Sequence, residues 1–580
     1  MVFEFLSRTS LVLLAIGLCS RSAYGNYETV PHIVVFMVDD LGWNDVGFHG
    51  SSQIPTPNID ALAYNGMILN RHYVLPSCTP TRAAFLSGKY PIRMGMQGEG
   101  IMGGEPRGLP LEVKILPQYL HDLGYTSKLI GKWHLGFLTQ QHTPTYRGFD
   151  SFLGFYNSHI SYYDYKYSQG HNMTGFDMHR GEDPAHDLPH IYATELFTEE
   201  AVKTIRNHDK LNPLYLQISH LGVHAPLEVP KDYYNDHVFR HIKVPERARY
   251  AKMVTELDDS LGRVVSALGA SGMLRDSIIL FLTDNGAPTI GRYQNWGSNY
   301  PLRGTKYTLY EGGVRGVAAI WSPRLRLSAN VSTDLFHVTD WLPTLYAAAG
   351  GNISELGDID GINQWPYLSR GARHQREEIL LNINELAGTE AAIYKKYKLV
   401  RGSYKKGHYD QHTGESGRSA EVPEYNTTMV HSSSVSNALT AHVPGPVTQP
   451  STMLTLRGGA TVICQRTRQH KFSICNVSDC LFDIELDPCE TNNIAASYGK
   501  YVTHLDRFLE RHYNVLVKQP RAHIDWLADP QRRNNTWGPW LSVNDRGMIY
   551  GTNAVTSMGT IIICAHIGML LFIVGLGAFV

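Results

Sequence analysis

The chain of 580 residues has little cysteine, 7 in all, too few for a small scaffold stapled by disulfides. It also lacks an excess of charge of either sign. Lys plus Arg number 52 and Asp plus Glu 53, for a net charge of −1. That balance excludes a global basic field of the kind that holds nucleic acid or an anionic membrane. No nucleic-acid partner is expected, and an anionic ligand has to be met by a few local cations. Internal repeats are missing too. Charged residues make up only 18% and hydrophobic residues 43%, which excludes a wholly disordered or collagen-like chain. Two to four domains are expected at this length, at roughly 150 residues each.

At the N-terminus, Arg8 precedes an apolar run from Leu11 to Leu18, and Ala23-Tyr24-Gly25 puts small residues where a signal peptidase inspects the chain. The run is too short for ~30 Å of hydrocarbon, so residues 1–25 are expected to be a signal peptide. From Gly559 to Val580 no charged residue occurs. The small residues Gly551-Thr552-Asn553-Ala554 lie before it, across a short uncharged spacer. This suits a GPI-attachment signal, with a retained membrane helix over 559–580 as the alternative. Asn-X-Ser/Thr sequons begin at Asn172, Asn330, Asn352, Asn426, Asn476 and Asn534, as in a glycoprotein of the secretory route. The cell surface is the expected destination, with a lysosomal or secreted protein as alternatives. Cys464, Cys475, Cys480 and Cys489 cluster as two disulfides require, with three connectivities open. The oxidising route disfavours a zinc site there. With Cys19 in the signal and Cys564 in the tail, Cys78 stands alone in the N-terminal part.

Short apolar runs end abruptly in polar clusters. His32–Val38 ends in Asp39-Asp40, Tyr125–Ile130 in Gly131-Lys132-Trp133-His134, and Ser277–Leu282 in Thr283-Asp284-Asn285-Gly286; Leu214–Ile218 leads to His220 and His224. Each is of strand length and rich in Val, Ile, Phe or Tyr. Helical patterns lie between, at Leu116–Leu123 and Tyr250–Leu268. The alternation predicts an α/β sheet flanked by helices, with ligands at the carboxyl ends of the strands. It fades near residue 370. We expect an α/β domain over 26–370 and a smaller α+β domain over 371–541. A long loop near 404–450 is read from its Ser, Thr, Gly, Pro and His, a helix near Tyr501–Tyr513, and a spacer and tail over 542–580.

Asp39, Asp40, Asp284 and Asn285 are hard oxygen donors suited to Ca²⁺ or Mg²⁺ rather than Zn²⁺. Either pair alone is equally explained by turn or cap chemistry. Cys78-Thr79-Pro80-Thr81-Arg82 has Pro in a first helical turn, and Gly88 supplies a stop. A Cys there sits where backbone N–H groups favour anions.

Cys78-x-Pro80-x-Arg82 resembles the sulfatase signature, in which the Cys is oxidised to formylglycine during secretion. Gly124–His134 resembles the second signature of that family. Val38–Trp43, Val223–Leu227, Thr283–Gly286, Pro301–Lys306, Asp340–Thr344, Leu481–Ile484 with Asp487-Pro488, and Trp537–Trp540 are similar to further family markers and stand in family order. The last two markers point to the arylsulfatase B-like (N-acetylgalactosamine-4-sulfatase-like) branch. The resemblance implies a large mixed sheet of the alkaline phosphatase-like sulfatase fold and hydrolysis of sulfate monoesters, of aryl alcohols or sugars. It implies one Ca²⁺ on Asp39, Asp40, Asp284, Asn285 and residue 78, and a formylglycine-generating enzyme as a partner during secretion. The hydrated aldehyde would offer one hydroxyl to attack sulfur and a second to expel sulfate. Arg82 and His134 would orient and activate the diol, Lys132 and Lys306 would bind sulfate oxygens, and His224 would stand by the leaving oxygen, with Lys306, as proton donor. Thr81 departs from the usual Ser. Of the two histidines after the third strand, His224 carries the family's neighbours and His220 reads as a core residue. The aromatic run Tyr156–Tyr167 fills the core or stacks sugars. The rival functions are a phosphatase or phosphodiesterase of the same superfamily and a non-catalytic binder of sulfated glycans.

Overall fold

The computed structural model describes residues 30–170, 172–188, 190–230, 238–464, 473–475, 478–521, 523–543 and 549–551. The proposed signal peptide, Asn476 and the apolar tail lie outside the described residues.

A ten-stranded sheet organises the molecule. Its strands are β1 (His32–Val38), β2 (Met67–Leu69), β3 (Thr126–Lys132), β4 (Ser151–Phe155), β5 (His179–Arg180), β6 (Asp183–Pro184), β7 (Leu214–Ser219), β8 (Ser277–Thr283), β9 (Ala318–Trp321) and β10 (Asn330–Ser332). They lie in the order β10-β2-β9-β8-β1-β7-β3-β4-β5-β6. The neighbouring strands β8, β1, β7, β3 and β4 are parallel, while β9 and β5 pair antiparallel on either side. The sheet is therefore mixed. Strands β1, β7 and β8 are buried along their whole length, which explains their uninterrupted apolar runs: a parallel sheet covered on both faces has no polar side to alternate with.

Register brings the polar clusters together. Met37 faces Ser219, Ser219 faces Gly131, and Val38 faces Thr283. Asp39 and Asp284 follow that last pair at the carboxyl ends of two neighbouring central strands, and Lys132, the last residue of β3, comes one row earlier, level with Val38 and His220. Gly131 is needed in the row before that. Its φ of +99° belongs to the left-handed region, and a Cβ there would lie 2.0 Å from the Ser219 carbonyl oxygen.

Helices α1 (Pro57–Asn65), α2 (Cys78–Ser87), α3 (Ala193–Arg206) and α4 (Pro245–Ala270) belong to this part. The start of α4 is set by Pro245 in its first turn. A second, four-stranded antiparallel sheet comes next, β11 (Glu378–Asn384), β12 (Thr389–Tyr394), β13 (Tyr397–Arg401) and β14 (Cys480–Asp483). The stretch 404–450 corrects the expectation of a long loop, because it carries α5 (Thr427–His431), α6 (Ser434–His442) and the start of α7 (Pro450–Ala460). Its Ser and Thr content weakens helix propensity. Asn426 and Ser433 instead cap two of the helices, and Val430, Val435 and Leu439 are buried in the main core with α1 and α4. Packing overrides propensity there. Helix α8 (Gly499–Tyr513) covers the small sheet through Leu505, Phe508 and Leu509.

Of the three disulfide connectivities, the structure has Cys464–Cys489 and Cys475–Cys480. Among the described residues no helix is long and apolar enough to cross a membrane. Tyr156, Tyr162, Tyr165 and Tyr167 are buried, so the aromatic run fills the core rather than presenting rings to a sugar.

Candidate active site

The carboxyl ends of the central strands deliver Asp39 and Asp40 from β1, Lys132 and His134 from β3, His224 from the turn after β7, and Asp284 and Asn285 from β8. Helix α2 brings Cys78 at its first residue and Arg82 one turn later, ending at Gly88 with a left-handed φ of 67°. Lys306 arrives on the 301–308 loop. Every one of these side chains is at most 3% exposed.

Three ion pairs tie the cluster. Lys132 Nζ lies 2.6 Å from Asp39 Oδ2, Lys306 Nζ lies 2.6 Å from Asp40 Oδ1, and Arg82 donates from Nη2 and Nε to Asp284 Oδ2 at 2.8 and 3.1 Å. Lys306 Nζ is also 3.2 Å from Cys78 Sγ, and Cys78 Sγ lies 3.6 Å from Asp39 Oδ1. Buried charge survives because each carboxylate meets a cation. Burial still pushes Asp40 and Asp284 above the usual carboxylate range. Burial alone would lower the Lys306 ammonium, but Asp40 and Cys78 hold it well above its usual value. The Cys78 thiol is pushed up to about 12, by burial first and against the pull of Lys132 and Lys306. A thiol so held is a poor nucleophile.

His134 bonds the Ile101 carbonyl through Nε2 at 2.9 Å, leaving Nδ1 buried without a partner. Burial, then Lys132, keeps this ring neutral. His224 donates from Nδ1 to the Ala225 carbonyl at 2.6 Å, and its Nε2 faces Asp40 Oδ2 at 3.5 Å. Burial, then Lys306, lowers its pKa as well. His220 faces elsewhere. Its Nε2 meets Ser260 Oγ at 3.1 Å and its ring packs on Phe36 inside the core.

Asp39, Asp40, Cys78 and Asp284 offer ligand atoms that all lie within 4.8 Å of one another. Asn285 Nδ2 donates to Asp40 Oδ1 at 2.5 Å, which leaves its own Oδ1 buried and unpartnered, as is Asp40 Oδ2. Unmet buried acceptors are costly. Two of them beside three carboxylates fit a hard cation with oxygen ligands.

Some contributors had no signal of their own in the sequence. Asn295 Nδ2 donates to the carbonyls of Asp40 and Val223 at 2.9 and 3.0 Å, joining two loops of the site. Thr79 Oγ1 donates to the His134 carbonyl and accepts from the Ile101 N–H. A Cβ on Gly100 would lie 2.7 Å from His134 Cε1, so glycine lets that loop close over the ring. His159 stacks on His224 at 4.9 Å, and Tyr293 lies against both. A lone His within an aromatic run, and a Tyr in a loop, give no periodic mark of such a place.

A family model described as Sulfatase matches residues 31–351. The chain is 35% identical over 524 residues to arylsulfatase J of Mus musculus, covering 89% of this chain and 81% of that one. It is 32% identical over 411 residues to N-acetylgalactosamine-6-sulfatase of Mus musculus, covering 67% and 75%. Among solved structures, Ps i-CgsB matches with a TM-score of 0.65 at 24% identity, over 87% of this chain and 97% of that one.

Proposed function

We propose, from the premise that this chain belongs to the sulfatase family, that it hydrolyses sulfate monoesters to an alcohol and inorganic sulfate with a formylglycine made from Cys78. Its fold is the alkaline phosphatase-like one of that family, with a smaller C-terminal antiparallel sheet. The observation that carries the reading is the convergence of Cys78, Lys132, Lys306 and three carboxylates in one buried cluster at the carboxyl ends of the central strands. The matched relatives are named arylsulfatase J and N-acetylgalactosamine-6-sulfatase, so the arylsulfatase B-like branch rests on the late sequence markers alone.

When bound, Ca²⁺ on Asp39, Asp40, Asp284, Asn285 and residue 78 supplies positive charge against the sulfate and acidifies a hydroxyl. Formylglycine at residue 78 supplies, as its hydrate, a nucleophilic hydroxyl and a second hydroxyl for release of sulfate. The remaining chemistry belongs to this chain's own side chains. Arg82 clamps Asp284 through two donors and so fixes the carboxylate beside residue 78. His134, neutral and with Nδ1 unoccupied, is the acceptor for the proton of the attacking hydroxyl. Lys132 and Lys306, both buried, bind sulfate oxygens, and a preorganised buried cation acts most strongly. Lys306 and His224 flank Asp40 from two directions and form the leaving-group side. In the net reaction water adds across the S–O bond, and the ester oxygen leaves with a proton.

The two disulfides support the secretory route for this protein, the route on which the formylglycine would form. The sequon residues Asn172, Asn352, Asn426 and Asn534 are exposed and Asn330 is half-buried, so most are open to glycosylation. Residues 551–554 are proposed as a lipid-attachment region at the cell surface. Phosphatidylinositol-specific phospholipase C then releases active enzyme from intact cells; retention of a peptide containing residues 559–580 contradicts the anchor. For the function itself, the purified secreted protein is expected to release sulfate from 4-nitrophenyl sulfate. Hydrolysis of 4-nitrophenyl phosphate with none of the sulfate ester overturns it.

A further inference from the structure

We infer that Arg303 is a positioning residue for catalysis, through which the C-terminal part of the chain sets the place of Lys306. The inference rests on the role given to Lys306 above. Arg303 is 1% exposed, and its guanidinium reaches three main-chain carbonyls. Nε donates to Asp410 at 3.2 Å, Nη1 to Glu490 at 3.0 Å and Nη2 to Ser473 at 2.8 Å. The Tyr310 ring stacks on it at 3.8 Å. The three acceptors come from separate stretches of the C-terminal part. Glu490 follows Cys489, which is bonded to Cys464, and Ser473 precedes Cys475, which is bonded to Cys480. Cys489 Sγ also lies 3.1 Å from the Pro301 carbonyl. One guanidinium thus gathers two disulfide-pinned stretches and the turn at Asp410.

From this anchor the chain runs three residues to Lys306. The other side of the loop hangs from Ala287, three residues beyond Asp284, whose carbonyl accepts from Thr305 Oγ1 at 2.7 Å and from the Lys306 N–H at 3.3 Å. The Arg303 carbonyl accepts from Gly312 N at 2.7 Å. Lys306 therefore leaves a short loop held at both ends, and its Nζ is delivered to 2.6 Å from Asp40 and 3.2 Å from Cys78. A long flexible side chain keeps such distances only if its backbone is fixed, and a misplacement of about 1 Å can cost about a hundredfold in rate. Guanidinium suits this role because its rigid fork of donors meets several carbonyls at once, which an ammonium cannot do.

A residue that serves folding alone lowers the amount of active enzyme equally for every substrate. One that positions a leaving-group cation hurts poor leaving groups most, because they carry most charge on the departing oxygen. The test compares kcat and KM of wild type, Arg303→Met, Arg303→Lys and Lys306→Ala on 4-nitrophenyl sulfate and phenyl sulfate, with formylglycine occupancy measured in each. Lys306→Ala is expected to lose at least about tenfold more kcat on phenyl sulfate than on 4-nitrophenyl sulfate. Arg303→Met is expected to lose kcat with the same bias, about tenfold on the good leaving group and about a hundredfold on the poor one, with KM nearly unchanged and occupancy intact. Where Arg303→Met is not secreted, Arg303→Lys carries the test, with the same bias at smaller size. An equal loss on both substrates, or none, in an Arg303 variant overturns the inference while leaving the role of Lys306 standing. Absence of the bias in Lys306→Ala overturns that role first.

Discussion

Lys132 and Lys306 are buried ammonium groups, each 2.6 Å from a carboxylate. Their charge is ready before a substrate arrives, which is the condition under which one donor is worth most. Substituting Lys132, His134, His224 or Lys306 singly by Ala is therefore expected to lower turnover on an aryl sulfate by roughly 10²-fold or more. Near-normal turnover of His224→Ala contradicts the assignment of the leaving-group side. Residue chemistry also predicts a pH effect away from the site. His72 accepts the Trp341 indole N–H at Nε2, 2.9 Å away, so its ring has to be neutral there. Burial lowers its pKa from 6.5 to about 3. Between those values the unfolded chain takes up a proton that the native one refuses. The contribution of His72 is thus complete above pH 6.5 and is lost as pH falls toward 3. Thermal melts across this range are expected to fall less steeply for His72→Gln than for wild type; parallel curves contradict it.

At the scale of elements, the strands that build the site were the most legible part of the sequence. The run His32–Val38 is a strand with those bounds, and Ser277–Leu282 differs from its strand by one residue. A central parallel strand has to be apolar throughout, and the chain then turns polar where it leaves the sheet. Cys78, Pro80 and Gly88 likewise marked the ends of a helix. What stayed illegible was held by packing across the chain. The helices within 404–450 have too few apolar residues to show a period, and they exist because Asn426 and Ser433 cap them and the main core takes up their few apolar side chains. Asn295 and His159 act from loops, where no spacing distinguishes a functional residue from a solvated one. The same stretch supplies a stability prediction. Tyr425 donates to buried Asp60 Oδ2 at 2.6 Å and shares a 3.0 Å contact with the Tyr64 hydroxyl, and Arg457 lies over its ring. Tyr425→Phe removes a hydrogen bond to a carboxyl and is expected to cost about 2 kcal/mol. Denaturant unfolding is expected to show it with kcat unchanged; an unaltered midpoint contradicts the contribution.

On the scale of the whole molecule, a chain of almost no net charge concentrates Arg82, Lys132 and Lys306 with three carboxylates in one buried place. The three cations and the three carboxylates balance one another there as ion pairs, while the buried Asn285 Oδ1 and Asp40 Oδ2 are left without a hydrogen-bond partner. Elemental analysis is expected to find calcium in the purified protein and no stoichiometric zinc, and chelation is expected to lower both activity and Tm, with Ca²⁺ restoring them. Full activity after removal of all divalent cations contradicts the oxygen-ligand site. The central claim is that Cys78 is the precursor of the nucleophile. Mass spectrometry of the tryptic peptide that contains residue 78, taken from the secreted protein, tests it most directly. An aldehyde in place of the thiol is the predicted result, and a Cys78→Ala variant is then secreted without sulfatase activity. An unmodified thiol throughout an active preparation contradicts the account.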